Sequence, residues 1–171
     1  MELCDDSIVL RPWREDDADA VYAACQDAEI QHWIHVMPRP YTHADAHAFV
    51  TGELELGRYQ FAIAQEGELV GSIGLRIDES KRTGGIGYWC ASDRRGQGLT
   101  TRALRRLCRY ALDELGLERL ELITDPDNVA SQRVATNVGF RREGVLRSHL
   151  RHPDGRRRDS VMFSLLPGEL R

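Results

Sequence analysis

The pattern of apolar and polar positions predicts short elements of two kinds, interleaved along the chain. "SIVLRPW" reads as a first strand, and "REDDADAVYAACQD" as a helix with acidic residues in its first turn, where the helix dipole favours negative charge. Pro38 and Pro40 then break the chain. Thr42 with Asp45 three residues later is a capping pattern; it predicts a helix through Phe49, Val50 and Leu54 that stops near Gly57. Next come "YQFAIAQ" and "LVGSIGLRI", flanking Glu66-Gly67-Glu68, a hairpin by alternation and turn chemistry. "GGIGYWCAS" reads as a further strand.

Leu99, Ala103, Leu104, Leu107, Cys108, Ala111 and Leu115 recur at helical spacing until Gly116, which predicts a long helix with one buried face. "RLELIT" is a short strand and "NVASQRVATNV" a short helix closed by Gly139. The remainder reads as two strands joined by a turn near "HPDGR". This order describes an α+β domain with a mixed sheet flanked by helices, rather than a doubly wound one.

Length and composition narrow the picture. A chain of 171 residues with 42% hydrophobic and 29% charged residues fits a single domain over residues 1–171. The first residues lack the charge and apolar run of a signal peptide, and no later run approaches bilayer length. The expectation is a cytoplasmic protein without membrane attachment. Cys4, Cys25, Cys90 and Cys108 form no C-x-x-C pair, so neither a zinc site nor a disulfide framework is expected.

The net charge of −4 argues against nucleic acid as a partner, yet it is unevenly spread. Residues 1–90 carry 7 basic and 16 acidic side chains, residues 91–171 carry 16 and 11. The C-terminal half could hold an anion while the N-terminal half faces a cationic partner.

Arg95-Gly96-Gln97-Gly98-Leu99-Thr100 stands at a strand-to-helix junction. Unpaired N–H groups and the helix dipole make such a junction a site for phosphate oxygens, and glycine lets an anion approach without a Cβ in the way. The run is not a Walker loop, which needs G-x-x-x-x-G-K-[ST]. Gly85-Ile-Gly87 lacks the third glycine of a dinucleotide fingerprint.

"YWCASDRRGQGLTTRAL", followed about thirty residues on by "DPDNVASQRVATNVGFRREGVLR", resembles the GNAT (Gcn5-related N-acetyltransferase) superfamily, in particular its branch similar to the RimJ and RimL N-terminal protein acetyltransferases. The resemblance runs from "LRPWREDDADAVYAAC" to "DSVMFSLLPGEL". It implies a central, mostly antiparallel mixed sheet splayed at the cofactor strand, with the pantetheine arm of acetyl-CoA in the gap. It further implies that the backbone of Trp89, Cys90 and Ala91 pairs with pantetheine amides. Arg95, Gly96, Gln97, Gly98, Leu99, Thr100 and Thr101 would cradle the pyrophosphate, Asn128 would bind the pantetheine arm, and Ser131 would sit near the thioester sulfur. Thr100 stands where the superfamily has its last small residue, and it keeps the N–H while adding a hydroxyl donor. Ala135 stands where many members carry a tyrosine as general acid, so that role passes to Ser131, as in the RimJ/RimL-like branch.

The implied activity is transfer of an acetyl group from acetyl-CoA to a primary amine, by direct attack without a metal. The acceptor is a protein or peptide N-terminal α-amine, or else a small amine such as a polyamine, amino sugar or antibiotic. A CoA-binding module without turnover, and a homodimer, are also considered. The Cys90 N–H is the implied oxyanion donor. Tyr88, Glu121, His149 and His152 are candidate bases, none of them compelling; this favours an α-amine, which is partly neutral near pH 7.

Local readings compete at several of these positions. Asn128 and Ser131 also fit a helix cap and its third residue, and the Cys90 thiol also fits an apolar filler. His43 and His47 lie at i and i+4 but lack the glutamate and third ligand of a metal site. His32, Trp33 and His35 precede the proline-rich loop where the branch forms its acceptor pocket.

Overall fold

Alternating burial and paired turns produce one eight-stranded sheet, which the computed structural model describes for residues 1–171 except 55, 58 and 153. The elements in order are β1 (Leu3–Cys4), β2 (Val9–Arg11), α1 (Ala18–Cys25), α2 (Ala28–Trp33), α3 (His43–Thr51), β3 (Tyr59–Gln65), β4 (Glu68–Asp78), β5 (Thr83–Cys90), α4 (Leu99–Arg109), β6 (Arg119–Thr124), α5 (Val129–Val138), β7 (Arg141–Arg151) and β8 (Arg157–Leu165). The strand order is β1-β2-β3-β4-β5-β6-β8-β7, and among the described residues only β5 and β6 run parallel. That arrangement is the mixed, mostly antiparallel sheet expected of the α+β class.

The parallel pair positions everything that follows. β5 is registered to β4 over its whole length, from Thr83↔Asp78 to Cys90↔Gly71. Its register to β6 stops at Ile86↔Leu122, while β6 goes on pairing with β8 as far as Thr124↔Val161. The two strands therefore diverge after residue 86, leaving one edge of residues 87–90 without a strand partner.

Two apolar clusters lie on opposite faces of the sheet. On one face Leu99, Ala103, Leu104, Leu107 and Cys108 of α4 are buried against Ile73, Leu75, Ile86, Leu120, Leu122 and Leu165. On the other, Val21, Cys25, Ile30, Ala46 and Val50 of α1–α3 close around Tyr41 and Trp89. Trp89 thus fixes the diverging end of β5 to the α1–α3 layer.

Several boundaries differ from expectation. The acidic first turn is a 3-10 turn at Glu15–Asp17, held by a buried ion pair in which Arg11 donates twice to Asp17 at 2.7 Å. The predicted first helix ends at Cys25, and a separate α2 begins when Asp27 accepts the Ile30 N–H at 2.9 Å. The Thr42–Asp45 capping box forms, but α3 ends at Thr51 because Gly52 turns left-handed, with φ of +79°. Leu54 and Gly57 thus lie beyond the helix, with residue 55 between them outside the described residues. The long helix widens into a π turn at Tyr110–Glu114, where the Leu115 N–H donates to Tyr110 O at 3.1 Å, before Gly116. Of the predicted "HPDGR" turn, Pro153 lies outside the described residues. Among the described residues, no helix is long and apolar enough to cross a membrane.

Candidate active site

At the C-terminal end of β5, a 3-10 turn at Ser92–Arg94 leads into the glycine loop and then α4. Gly96 and Gly98 have φ of +75° and +76°, values that L side chains adopt at a cost. A Cβ added at either would meet no atom within 4 Å. Glycine is therefore required by the backbone bend, and the space before the loop is open.

That space is a cleft of about 480 Å³ running along the divergence of β5 from β6. It brings together ten of the twelve residues expected to hold a cofactor. Trp89 and Cys90 come from β5, Arg95, Gly96 and Gly98 from the loop, Leu99, Thr100 and Thr101 from the first turn of α4, and Asn128 and Ser131 from the start of α5. Gln97 turns away and donates to Asp93 O at 3.3 Å. Ala91 does not line the cleft either.

The main-chain expectation at Trp89, Cys90 and Ala91 needs correction. Ala91 N–H donates to Val70 O at 3.0 Å, on the β4 side. Successive residues of a strand direct their amides to opposite edges. Trp89 and Ala91 therefore spend theirs on β4, while Tyr88 and Cys90 turn theirs into the gap. The free edge of the splay is carried by those two residues, and Trp89 contributes its buried indole instead.

The side chains at the narrow end are organised by hydrogen bonds. Tyr88 OH lies 2.9 Å from Ser131 Oγ and 3.2 Å from Ser131 O, joining β5 to the first turn of α5 across the gap. Burial pushes the Tyr88 phenol up, so at neutral pH it stays protonated. Ser131 N–H donates to Asn128 Oδ1 at 3.0 Å, which makes Asn128 the N-cap of α5. The capping reading of this pair is thus correct as geometry. Because Asn128 Oδ1 is spent on the cap, the amide NH2 is the group it has left to offer the cleft. The Cys90 thiol is also pushed up by burial, partly offset by a hydrogen bond with Thr100, and is held as a neutral thiol. A neutral, half-buried thiol is a poor nucleophile.

Charge is arranged differently from the expectation. Arg95 donates to Asp27 and Glu29, each at 2.6 Å, and Arg94 pairs with Glu68. Arg133 lines the cleft without an ion pair among the described residues.

The candidate bases are dispersed. Glu121 is held by Arg119 at 2.7 Å, at the register of Gly85, before the strands diverge. His149 Nδ1 lies 3.1 Å from Ser160 Oγ, and His152 packs edge-on against His35 with ring centroids 5.8 Å apart. Desolvation, with Arg158 and His152 nearby, pulls the His35 imidazole down. Trp33 lines the cleft while His32 packs edge-on against it. His43 stacks on Tyr22 and faces Asp19, and His47 faces Glu15; the two belong to the α1–α3 surface and not to the cleft.

Sequence reasoning missed the Tyr88–Ser131 bond and the acidic pair on Arg95. The groups lie 43, 68 and 66 residues apart, and only the folded sheet joins them.

Comparison with known proteins gives a consistent answer. Residues 7–141 match the family model of the acetyltransferase (GNAT) domain. YdaF of Bacillus subtilis (strain 168), described as a candidate ribosomal N-acetyltransferase, is 35% identical over 116 residues, 67% of this chain and 63% of that protein. The ribosomal-protein-serine acetyltransferase of Escherichia coli (strain K12) is 36% identical over 88 residues, 51% of this chain and 49% of that one. The structure of Mycobacterium smegmatis RimJ in complex with CoA-disulfide superposes with a TM-score of 0.83 at 30% identity, covering 95% of this chain and 83% of that one.

Proposed function

The chain belongs to the GNAT acetyltransferase family, and from that premise we propose that it transfers an acetyl group from acetyl-CoA to the N-terminal α-amine of a protein or peptide in the cytoplasm, as one domain over residues 1–171. The divergence of β5 from β6, opening directly onto the glycine loop, carries this reading. It offers unpaired strand amides to a pantetheine arm and bare loop N–H groups to a diphosphate. The left-handed glycines with empty space before them fit that cargo.

The loop N–H groups and the α4 dipole would hold the diphosphate, with Thr100 and Thr101 adding hydroxyl donors. Tyr88 and Cys90 would pair through their main chain with the pantetheine arm, and the Asn128 amide would complete it. The thioester is already activated, so the protein has to align a neutral amine with it and stabilise the developing oxyanion. The Cys90 N–H is the donor for that oxygen. Ser131 would give its hydroxyl proton to the CoA sulfur as the C–S bond breaks, and regain one, through water, from the amine nitrogen that sheds a proton once its bond to the acetyl carbon has formed. The single hydroxyl hydrogen of Tyr88 serves either Ser131 O or Ser131 Oγ, so it can follow Ser131 as the serine proton leaves.

Glu29 is the one carboxylate among the described residues lining the cleft, and Arg95 occupies it. An α-amine with a pKa of about 7.7–8.0 is partly neutral already, and water suffices to take its proton. A lysine-type amine near 10.4 would need a dedicated base. The ribosomal names borne by two of the relatives support a protein N-terminus further. The test is a panel of peptides with varied first residues beside polyamines and aminoglycosides, with released CoA thiol as readout. Turnover of peptides is the expected result, and turnover confined to the small amines overturns the assignment of acceptor.

A further inference from the structure

Two carboxylates stand at a site built for an anion. Arg95 gives Nη2 to Asp27 and Nη1 to Glu29, each at 2.6 Å, so the guanidinium of the glycine loop is already taken up by α2. Asp27 is the N-cap of that helix, accepting the Ile30 N–H, and Glu29 lies in its first turn. At the other end of α2, Trp33 and Ile34 form part of the cleft wall, and the Trp33 indole N–H reaches Glu29 at 3.4 Å. Loop, helix and wall are thus joined through one arginine.

The two acids are not equivalent. The Asp27 side chain is 23% exposed, and Arg95 above all, with the backbone N–H groups of Ile30 and Glu29, holds it below the usual carboxylate range. The Glu29 side chain is 53% exposed and faces the cleft, and among the described residues its donors are two side chains, Arg95 and, weakly, Trp33. A negative group on the wall of a diphosphate site repels the ligand and competes for the same cation.

Resting on the donor site described above, we propose that Asp27 and Glu29 are positioning residues: Asp27 keeps Arg95 and the glycine loop docked on α2, and Glu29 surrenders its share of Arg95 to the diphosphate when the donor binds. Glu29 is then a competitor of the donor, and its release frees the Trp33 wall as the cleft fills. Adjacent carboxylates on one arginine have opposite effects on affinity.

Calorimetric titration of CoA into the full chain and its variants at low ionic strength tests this. Glu29→Gln should bind CoA about threefold tighter, the scale of one partly exposed ion pair. Asp27→Asn should bind more weakly, through loss of the docking contact and the cap. In an Arg95→Gln background the gain from Glu29→Gln should vanish. The Trp33 contribution to fluorescence should change on CoA addition in the unaltered chain, and less in Glu29→Gln. Unchanged or weaker binding by Glu29→Gln, or a gain that survives in the Arg95→Gln background, overturns the proposal while leaving the donor site intact. Failure of the unaltered chain to bind CoA overturns the donor site and this inference with it.

Discussion

Gly98 shows how one residue couples backbone strain to ligand access. Its φ of +76° makes it the left-handed N-cap of α4, and the empty space before it is where a side chain would project. In Gly98→Val the strain should cost about 1–3 kcal/mol of stability. The added methyls should also weaken CoA binding by about tenfold or more, the effect of roughly 1.4 kcal/mol. Calorimetry and a denaturant melt separate these two losses; full affinity in a strained but folded variant would contradict the loop assignment. Ser131 and Tyr88 make the complementary case, because they stand at the reacting end and not at the diphosphate. Ser131→Ala should lower kcat by about 100-fold, within the range of general acid catalysis. Tyr88→Phe should lower it by about tenfold, since Ser131 survives but loses its follower. Both should keep CoA affinity within about threefold; equal losses of affinity and kcat would assign them to binding. The glycines were legible in the sequence because a short-range motif encodes a short-range bend. The Tyr88–Ser131 bond was not, because Ala135 occupies the position where the motif would have advertised an acid, and the phenol that reaches Ser131 of α5 comes from β5, 43 residues earlier.

At the level of elements, the β6–β8–β7 end of the sheet carries a second set of ties. Arg119 on β6 donates to Glu143 on β7 at 2.8 and 2.6 Å and to Glu121 at 2.7 Å, reaching over β8, whose Ser164 also donates to Glu143 at 2.6 Å. These donors lower the Glu143 carboxyl from 4.5 to about 2, the Arg119 side chain being the largest cause. A carboxyl with a depressed folded-state pKa stabilises the fold at pH above its ordinary value, and the contribution fades as pH falls toward the depressed one. Glu143→Gln should therefore cost about 1 kcal/mol near neutral pH, discounted because the pair is partly exposed. The gap between the two proteins should close between pH 4.5 and about 2, as followed by urea melts across pH. A gap that stays constant through that window would assign the loss to packing. Elements themselves were legible where a run of apolar residues ends in turn chemistry, as in β3 and β4, or where apolar residues recur on one helix face, as in α4. Helix ends were less so: α3 stops at a left-handed Gly52 and α2 starts at a cap on Asp27, single conformations that apolar spacing does not report. The β7–β8 pair was legible as two strands joined by a turn; that β8 lies between β6 and β7 follows from strand order, which no local pattern contains.

Over the whole molecule, the acidic N-terminal and basic C-terminal halves read in the sequence as facing two different partners. The fold spends much of that asymmetry internally. Arg95 meets Asp27 and Glu29, Arg94 meets Glu68, and Arg102 meets Asp5 at 3.1 Å, each joining the later half to the earlier. What remains for a ligand is chiefly the backbone: the free edge of Tyr88 and Cys90 and the N–H groups of the loop. A ligand that bridges both should stabilise the native chain by linkage, about 2.7 kcal/mol at 100 times its Kd. For a chain of this length each kcal/mol raises Tm by about 2–4 °C, so CoA at that excess should raise it by roughly 5–10 °C. Pantetheine, which lacks the diphosphate, should give a far smaller shift at equal concentration, because it leaves the loop N–H groups and the α4 dipole unused. Hydrogen exchange adds the position. Acetyl-CoA should slow exchange at the Tyr88 and Cys90 amides, which face the gap, and leave Ala91 unchanged, because its N–H is already bonded to Val70. Equal Tm shifts from CoA and pantetheine would remove the loop from the site, and new protection at Ala91 in place of Cys90 would reverse the register argued for the splayed strand.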